Sequence, residues 1–168
     1  KSSTKALSTI MDTAAVSLKN FRMYLTKKEK EWRKGRDKMF LEIIEKISDE
    51  IIKNEDYLTE LDREIGDGDH GVNLARGFTE IKNQLANFKT LPVSDVFTKM
   101  GMILLTKVGG ASGAIYGTAF MSSGTFLKGK TDFDNQILLG TLNAMIEGIQ
   151  KRGKAVLGEK TMLDTIIP

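Results

Sequence analysis

Residues 61–73 read Leu-Asp-Arg-Glu-Ile-Gly-Asp-Gly-Asp-His-Gly-Val-Asn, LDREIGDGDHGVN, and the fold turns on how Gly66, Gly68 and Gly71 are understood. The spacing G-x-G-x-x-G belongs to dinucleotide-binding βαβ units, which need a strand before the glycines and a helix after them. The residues before Gly66 are acidic and only weakly strand-like. Asp67 and Asp69 fill the gaps where that fold brings backbone N–H groups to a pyrophosphate, and two carboxylates repel a bare pyrophosphate. An EF-hand fails as well. Counted from Asp62, its sixth position is Asp67 instead of Gly and its twelfth is Asn73 instead of Glu; counted from Asp67, its fifth is Gly71. With no strand to accept the glycines, the periodicity on either side decides.

That periodicity is helical. Leu7, Ile10, Met11, Ala14, Ala15, Leu18, Phe21 and Leu25 share one helix face, and Phe40, Leu41, Ile43, Ile44, Ile47, Ile51 and Ile52 share another. Further helices are expected over about Val72–Leu85, from near Pro92 to Lys107 with Ser94 and Asp95 at its start, and over about Ala114–Phe126. A sixth carries Ile137, Leu138, Leu142, Met145, Ile146 and Ile149, and a seventh begins near Thr161. Two prolines and no strand-turn-strand rhythm leave an all-α fold, an antiparallel up-and-down bundle or barrel of amphipathic helices. Eight methionines and eight phenylalanines read most simply as core filler.

Composition narrows the chemistry. The 168 residues suffice for one domain with a core. The absence of cysteine excludes disulfides, zinc-thiolate sites and thiol catalysis, and fits a reducing cytoplasm. No apolar run approaches membrane-span length and no secretory pattern opens the chain, so neither a membrane nor export is expected. Net charge is +3, much of it in Lys27–Lys38 (KKEKEWRKGRDK), read here as a solvated linker or helix face. Without a nucleic-acid module signature, no nucleic-acid partner is expected.

Glycines cluster at Gly66–Gly71, Gly109–Gly113 and Gly153–Gly158, each at an expected helix boundary, which points to a ligand site at one end of the bundle. In the first cluster, Asp62, Asp67 and Asp69 repel one another unless a divalent cation sits among them. Magnesium suits few carboxylates and leaves positions for phosphate oxygens. His70 and Asn73 follow at a helix start, where the dipole and free N–H groups favour anions. The competing reading is an Asp-Gly turn with capping aspartates, and for His70 a surface or capping role. The second cluster, KVGGASG with Ser112, is either a phosphate cradle or close helix packing through glycine. The third, RGKAVLGEKTMLD, misses a P-loop because Glu159 stands where Lys belongs. Met162 there serves either a nucleobase or the core.

Three segments in order, YLTELDREIGDGDHGVNLARGF (Tyr57–Phe78), KVGGASGAIYGTAF (Lys107–Phe120) and IQKRGKAVLGEKTMLD (Ile149–Asp164), resemble the nucleotide-binding L subunit or domain of dihydroxyacetone kinases. The resemblance covers about Phe40–Pro168. It implies a helical barrel with ADP or ATP at one end and a pair of magnesium ions on Asp62, Asp67 and Asp69. It implies phosphates facing His70, Gly71, Val72 and Asn73, with Ala111 and Ser112 opposite, and Gly153 and Met162 near the nucleoside. In the phosphotransferase-linked form of that family, ADP stays bound as a phosphoryl carrier. A phosphohistidine donor subunit recharges it, and the phosphoryl passes to dihydroxyacetone held by a partner subunit. No catalytic nucleophile from this chain is implied, which suits phosphoryl transfer, where alignment and charge neutralisation do most of the work.

Departures from the pattern are few but informative. Ala114 stands where the family usually has Pro. The family continues beyond the position of Pro168 with two more helices that help cover the nucleotide, so weakened nucleotide affinity is expected. Residues 1–39 are expected to be an N-terminal extension and residues 40–168 the L domain, shortened at its C-terminal end. Either the extension replaces a lost helix, by permutation, truncation or swapping, or it is unrelated. Self-association into a homodimer stays open. The fatty-acid kinase group is an alternative, although it usually carries Thr at the position of His70. A non-catalytic helical binding or regulatory protein is another.

Overall fold

The structure is a computed structural model that describes residues 38–63, 66–130 and 134–167. Two compact units divide the chain, Lys1–Phe40 and Leu41–Pro168. The helix expected over Ser3–Leu25 and nearly all of the basic run lie outside the described residues.

The described residues form helices and connections, with no strand among them. Helix α1 covers residues 38–53. It is followed by α2 (Glu55–Arg63), α3 (His70–Phe88), α4 (Val93–Lys107), α5 (Gly110–Leu127), α6 (Asn135–Gly153) and the short α7 (Leu163–Ile166). Among the described residues no helix is long and apolar enough to cross a membrane.

Helix α2 was not legible in the apolar pattern, because EDYLTELDR is mostly polar and buries only Thr59. Its signals are electrostatic: Glu55 and Asp56 lie in the first turn and Arg63 in the last, matching the helix dipole. Only Asn54 separates it from α1. The Asn54 N–H donates to the carbonyls of Glu50 and Ile51 at 3.2 Å, and Leu58 N–H donates to the Asn54 carbonyl at 2.9 Å. The Asn54 side-chain amide also donates to the Glu50 carbonyl, competing with the regular ladder.

Helix direction can be read from where glycines meet neighbours. Along α5, Gly113 lies against Val108, Gly117 against Gly101 and Leu105, and Gly124 against Thr98 and Ser94. As the α5 number rises the α4 number falls, so the two run antiparallel. The same inverse order joins α5 to α6, through Ile115 with Gly153, Ser122 with Gly148, and Phe126 with Gly140. Gly71 against Glu55 and Thr59, and Gly77 against Leu104 and Val108, tie α2 to α3 and α3 to α4. The succession from α2 to α6 is therefore up and down. It brings the C-terminal ends of α2, α4 and α6 and the N-terminal ends of α3 and α5 to one end of the array.

The main core lies between α3 and α4, with Leu74, Phe78, Ile81, Phe88, Val96, Met100 and Leu104 buried. A second cluster of Ala119, Ile149 and Leu163 joins α5, α6 and α7. Several expected inward faces are corrected. On α1, Ile44 and Ser48 point inward, whereas Ile43 and Ile47 are exposed. On α6, Leu138 and Leu142 are exposed while Thr141, Gly148 and Ile149 are buried. Of the methionines, Met100 is core, but Met39 and Met102 are exposed. Helix α5 starts at Gly110, four residues before the expected Ala114, and its Gly113, Gly117 and Gly124 lie against α4.

Candidate metal and phosphate site

The first glycine cluster is a tight connection between antiparallel helices. Gly66 N–H donates to the Asp62 carbonyl at 2.6 Å, closing the end of α2. A side chain on Gly66 would collide with the Asp62 carboxylate, and Gly68 has φ +73°, a left-handed conformation that favours glycine. Asp62 Oδ2 accepts from the Asp69 N–H at 3.0 Å and the His70 N–H at 3.3 Å. The last turn of α2 is thereby tied to the first turn of α3. Desolvation pushes the Asp62 carboxyl up, but hydrogen bonds from the Asp69, His70 and Gly68 N–H groups outweigh it and hold it below its ordinary value.

Around this bend the carboxylates of Asp62, Asp67 and Asp69 each offer an oxygen, and those oxygens lie within 4.8 Å of one another. Asp62 is half-buried; Asp67 and Asp69 are exposed. The Asp-Gly-turn alternative accounts for part of this, because Asp62 accepts from backbone N–H groups of the bend. It leaves Asp67 and Asp69 unexplained: Asp69 makes no side-chain cap to α3 although it holds the N-cap position. Three converging hard oxygens, two facing solvent, form a donor set that fits a divalent cation.

The second cluster meets the first. The buried Asn73 amide packs against Gly109, where an added Cβ would sit 3.0 Å from Oδ1 and 3.1 Å from Nδ2. Asn73 Nδ2 and Thr59 Oγ1 are buried without a hydrogen-bond partner in the structure. A buried donor of that kind fits an acceptor supplied by a ligand. One turn before Asn73 on α3, the His70 ring lies 6.5 Å from the ring of Tyr116 on α5, tilted by 43°. Burial pushes the Tyr116 hydroxyl above its ordinary value. Helix α5, like α3, has no side-chain cap; its N-cap is Gly109. Ser112 Oγ donates to the Gly109 carbonyl at 3.0 Å, and Ala111 is exposed beside it. Gly113 packs closely on Val108, while Gly109–Ser112 form a helix start without a side-chain cap.

The third cluster completes the same end. Gly153 closes α6, and a side chain on it would meet only Ile115 Cδ1, at 4.0 Å. Met162 packs with Ile115 and Ala155 on the cluster of Ala119, Ile149 and Leu163, so it is half-buried at a core edge. Between them, Gly158 N–H and Thr161 N–H donate to the two carboxylate oxygens of Asp164, at 2.6 and 2.8 Å. Thr161 Oγ1 accepts in turn from Leu163 N–H at 3.3 Å. These hydrogen bonds hold Asp164 below the usual carboxylate range. Sequence reasoning missed Asp164, Thr59 and Tyr116. For Asp164 a signal exists, because Thr161-Met-Leu-Asp164 has the reciprocal spacing of a capping box.

The three-carboxylate bend between α2 and α3 and the starts of α3 and α5 thus lie at one end of an antiparallel helical array. The DAK2 domain model matches residues 64–168, and the chain belongs to that family. It is 48% identical to a Listeria innocua PEP-dependent dihydroxyacetone kinase 2, ADP-binding subunit DhaL, over 120 residues, 70% of this chain and 56% of that relative. It is 45% identical to a Lactococcus lactis PTS-dependent dihydroxyacetone kinase, ADP-binding subunit DhaL, over 74% of this chain and 62% of the relative. With the human triokinase/FMN cyclase it shares 34% identity over 74% of this chain and 21% of that protein. The chain thus spans less than two thirds of the length of these relatives.

Proposed function

We propose that this chain is the ADP- and ATP-binding part of a dihydroxyacetone kinase. In this reading it carries a phosphoryl group on magnesium-bound ADP for transfer to dihydroxyacetone held by a partner subunit. A second partner, a phosphohistidine donor, would recharge the ADP, and the assembly would work in the cytoplasm. The relatives named as ADP-binding subunits of PEP- or PTS-dependent dihydroxyacetone kinases support it. The observation that carries it is the gathering of the Asp62, Asp67 and Asp69 oxygens within 4.8 Å, directly before the start of α3.

Asp62, Asp67 and Asp69 would hold magnesium, one ion or two. Bound there, magnesium neutralises phosphate charge and fixes the orientation of the phosphoryl group. The chain's own residues do the rest. The first N–H groups of α3, at Gly71 and Val72, and those of α5, at Ala111 and Ser112, favour anions by the helix dipole. His70 flanks the same space from α3. Asn73, buried and with its amide donor unpartnered, would donate to a phosphate oxygen. Gly153 and Met162 would lie beside the nucleoside, Gly153 because its missing side chain leaves room. Asp62 has two jobs. One oxygen accepts from Asp69 and His70 and keeps the bend closed, so the carboxylate arrives at the site already oriented.

The test is magnesium-dependent binding of ADP, measured by calorimetry on chain stripped with a chelator. Asp67→Ala is expected to abolish binding while far-UV circular dichroism stays helical. Unchanged ADP binding in that variant would remove the metal-site reading. His70 favours the dihydroxyacetone type over the fatty-acid kinase group, and phosphoryl transfer with a cognate partner subunit distinguishes the two.

A further inference from the structure

The connection from α6 to α7, residues 154–162, is more constrained than its length requires. It leaves α6 through Lys154 at φ +59°, turns at Gly158 with φ +93°, and passes Lys160 at φ +59°. A non-glycine residue in the left-handed region persists only where its surroundings enforce it. Lys154 is the left-handed C-cap of α6, its N–H donating to the Gln150 carbonyl; the turn from Gly158 to Thr161, which contains Lys160, is held by Asp164. Its Oδ1 accepts from Gly158 and its Oδ2 from Thr161, so one carboxylate fixes the connection at both ends of its tightest turn. Glu159 Oε2 accepts from Val156 N–H at 3.0 Å and braces the earlier half. The neighbouring Leu163 is fully buried against Ala119 and Ile149, which anchors Asp164 to the body of the fold.

The consequence reaches the open side of Gly153. Nothing but Ile115 stands within 4 Å of a side chain built there, and Ile115 and Met162 pack on the same buried cluster. A connection free to straighten would cross that space or carry Met162 away from it. We infer that Asp164 is a positioning residue for the nucleoside end of the ligand, holding residues 154–162 in the bent form that keeps the side of Gly153 open. This inference rests on the nucleotide reading given above. It assigns Asp164 no contact with the phosphates or the metal.

A pair of ligands separates this role from general stability. Mg-ADP uses both ends of the site, whereas Mg-pyrophosphate uses only the metal and phosphate end. By calorimetry, Asp164→Asn, which keeps one acceptor of the two, is expected to weaken Mg-ADP about tenfold and leave Mg-pyrophosphate within about twofold. Asp164→Ala, which keeps neither, is expected to widen that ratio further. Equal weakening of both ligands, or no change in either, overturns the inference. If the unaltered chain binds neither ligand, the nucleotide reading itself falls. Should Asp164→Ala fail to fold, the near-isosteric Asn variant still decides the question.

Discussion

Two glycines of the candidate site stand in opposite surroundings and should answer the same substitution oppositely. A Cβ on Gly71 would run into the Glu55 carbonyl and the Thr59 side chain, and would lie 2.7 Å from Thr59 N. Two of those three obstacles are backbone and cannot swing away. Gly71→Ala should therefore cost about 2 kcal/mol or more in urea denaturation, at the upper end of overpacking effects. Prising α2 from α3 also separates Asp62 from Asp67 and Asp69, so magnesium affinity should fall with stability. Gly153 closes α6 in ordinary helical conformation with open space beside it. Gly153→Ala should stabilise the fold slightly, by up to about 1 kcal/mol from the helix preference of alanine, and weaken ADP binding. Unchanged ADP affinity in Gly153→Ala would show that this side of the helix is not used. The three aspartates were legible because like charges at short spacing demand an explanation. Thr59 and Tyr116 were not, since their importance lies in neighbours from other helices.

At the scale of elements, the seventh helix is the most exposed to loss. Helix α7 has four residues and is held mainly by Leu163, which is fully buried against Ala119 and Ile149. Leu163→Ala should cost about 2–5 kcal/mol in chemical denaturation, with little change in helical circular dichroism. The connection before it should respond to pH through Asp164. Hydrogen bonds from Gly158 and Thr161 hold that carboxyl below its ordinary value, so the folded loop prefers the ionised form. The stabilisation is fully present above the unfolded value near 4 and is lost as pH falls through the folded value. Amide exchange at Gly158 and Thr161, corrected for intrinsic rates, should stay slow at neutral pH and accelerate below about pH 4; in Asp164→Asn that step should vanish. Element type was legible wherever apolar residues recur every three or four positions, as in α3 and α4. It failed at α2, whose helix rests on end charges and tertiary contact. It also failed in choosing the inward face of α1 and α6, where Ile43, Ile47, Leu138 and Leu142 fit the periodicity yet stay exposed. Periodicity finds a face, but the neighbouring helices decide which part of it is covered.

Across the whole molecule, the site is a product of topology. Strict alternation from α2 to α6 delivers two helix N-termini and the C-terminal ends of α2, α4 and α6 to one end, where the three glycine clusters lie together. Each cluster looks ordinary on its own. Their convergence was anticipated from placement at helix boundaries, and the inverse order of inter-helix contacts explains it. Such a site is held together only through the helices that carry it, so a ligand spanning it should brace them against one another. Under the proposed function, Mg-ADP touches α2, α3, α5 and α6 in the folded state and none of them in the unfolded chain. At a free concentration one hundred times its dissociation constant, such a ligand adds about 2.7 kcal/mol to unfolding. For a domain of this size that corresponds to a rise in melting temperature of roughly 10 °C. Magnesium alone should give a smaller rise, and ADP with a chelator almost none, because without the cation the carboxylates repel the phosphates. Asp67→Ala removes one metal oxygen without touching the Asp62 bonds that close the bend. Its ligand-free melting temperature should match that of the unaltered chain, and its response to Mg-ADP should disappear. A full shift in that variant would mean that nucleotide binds without the aspartates, and the metal would then have no part in holding it.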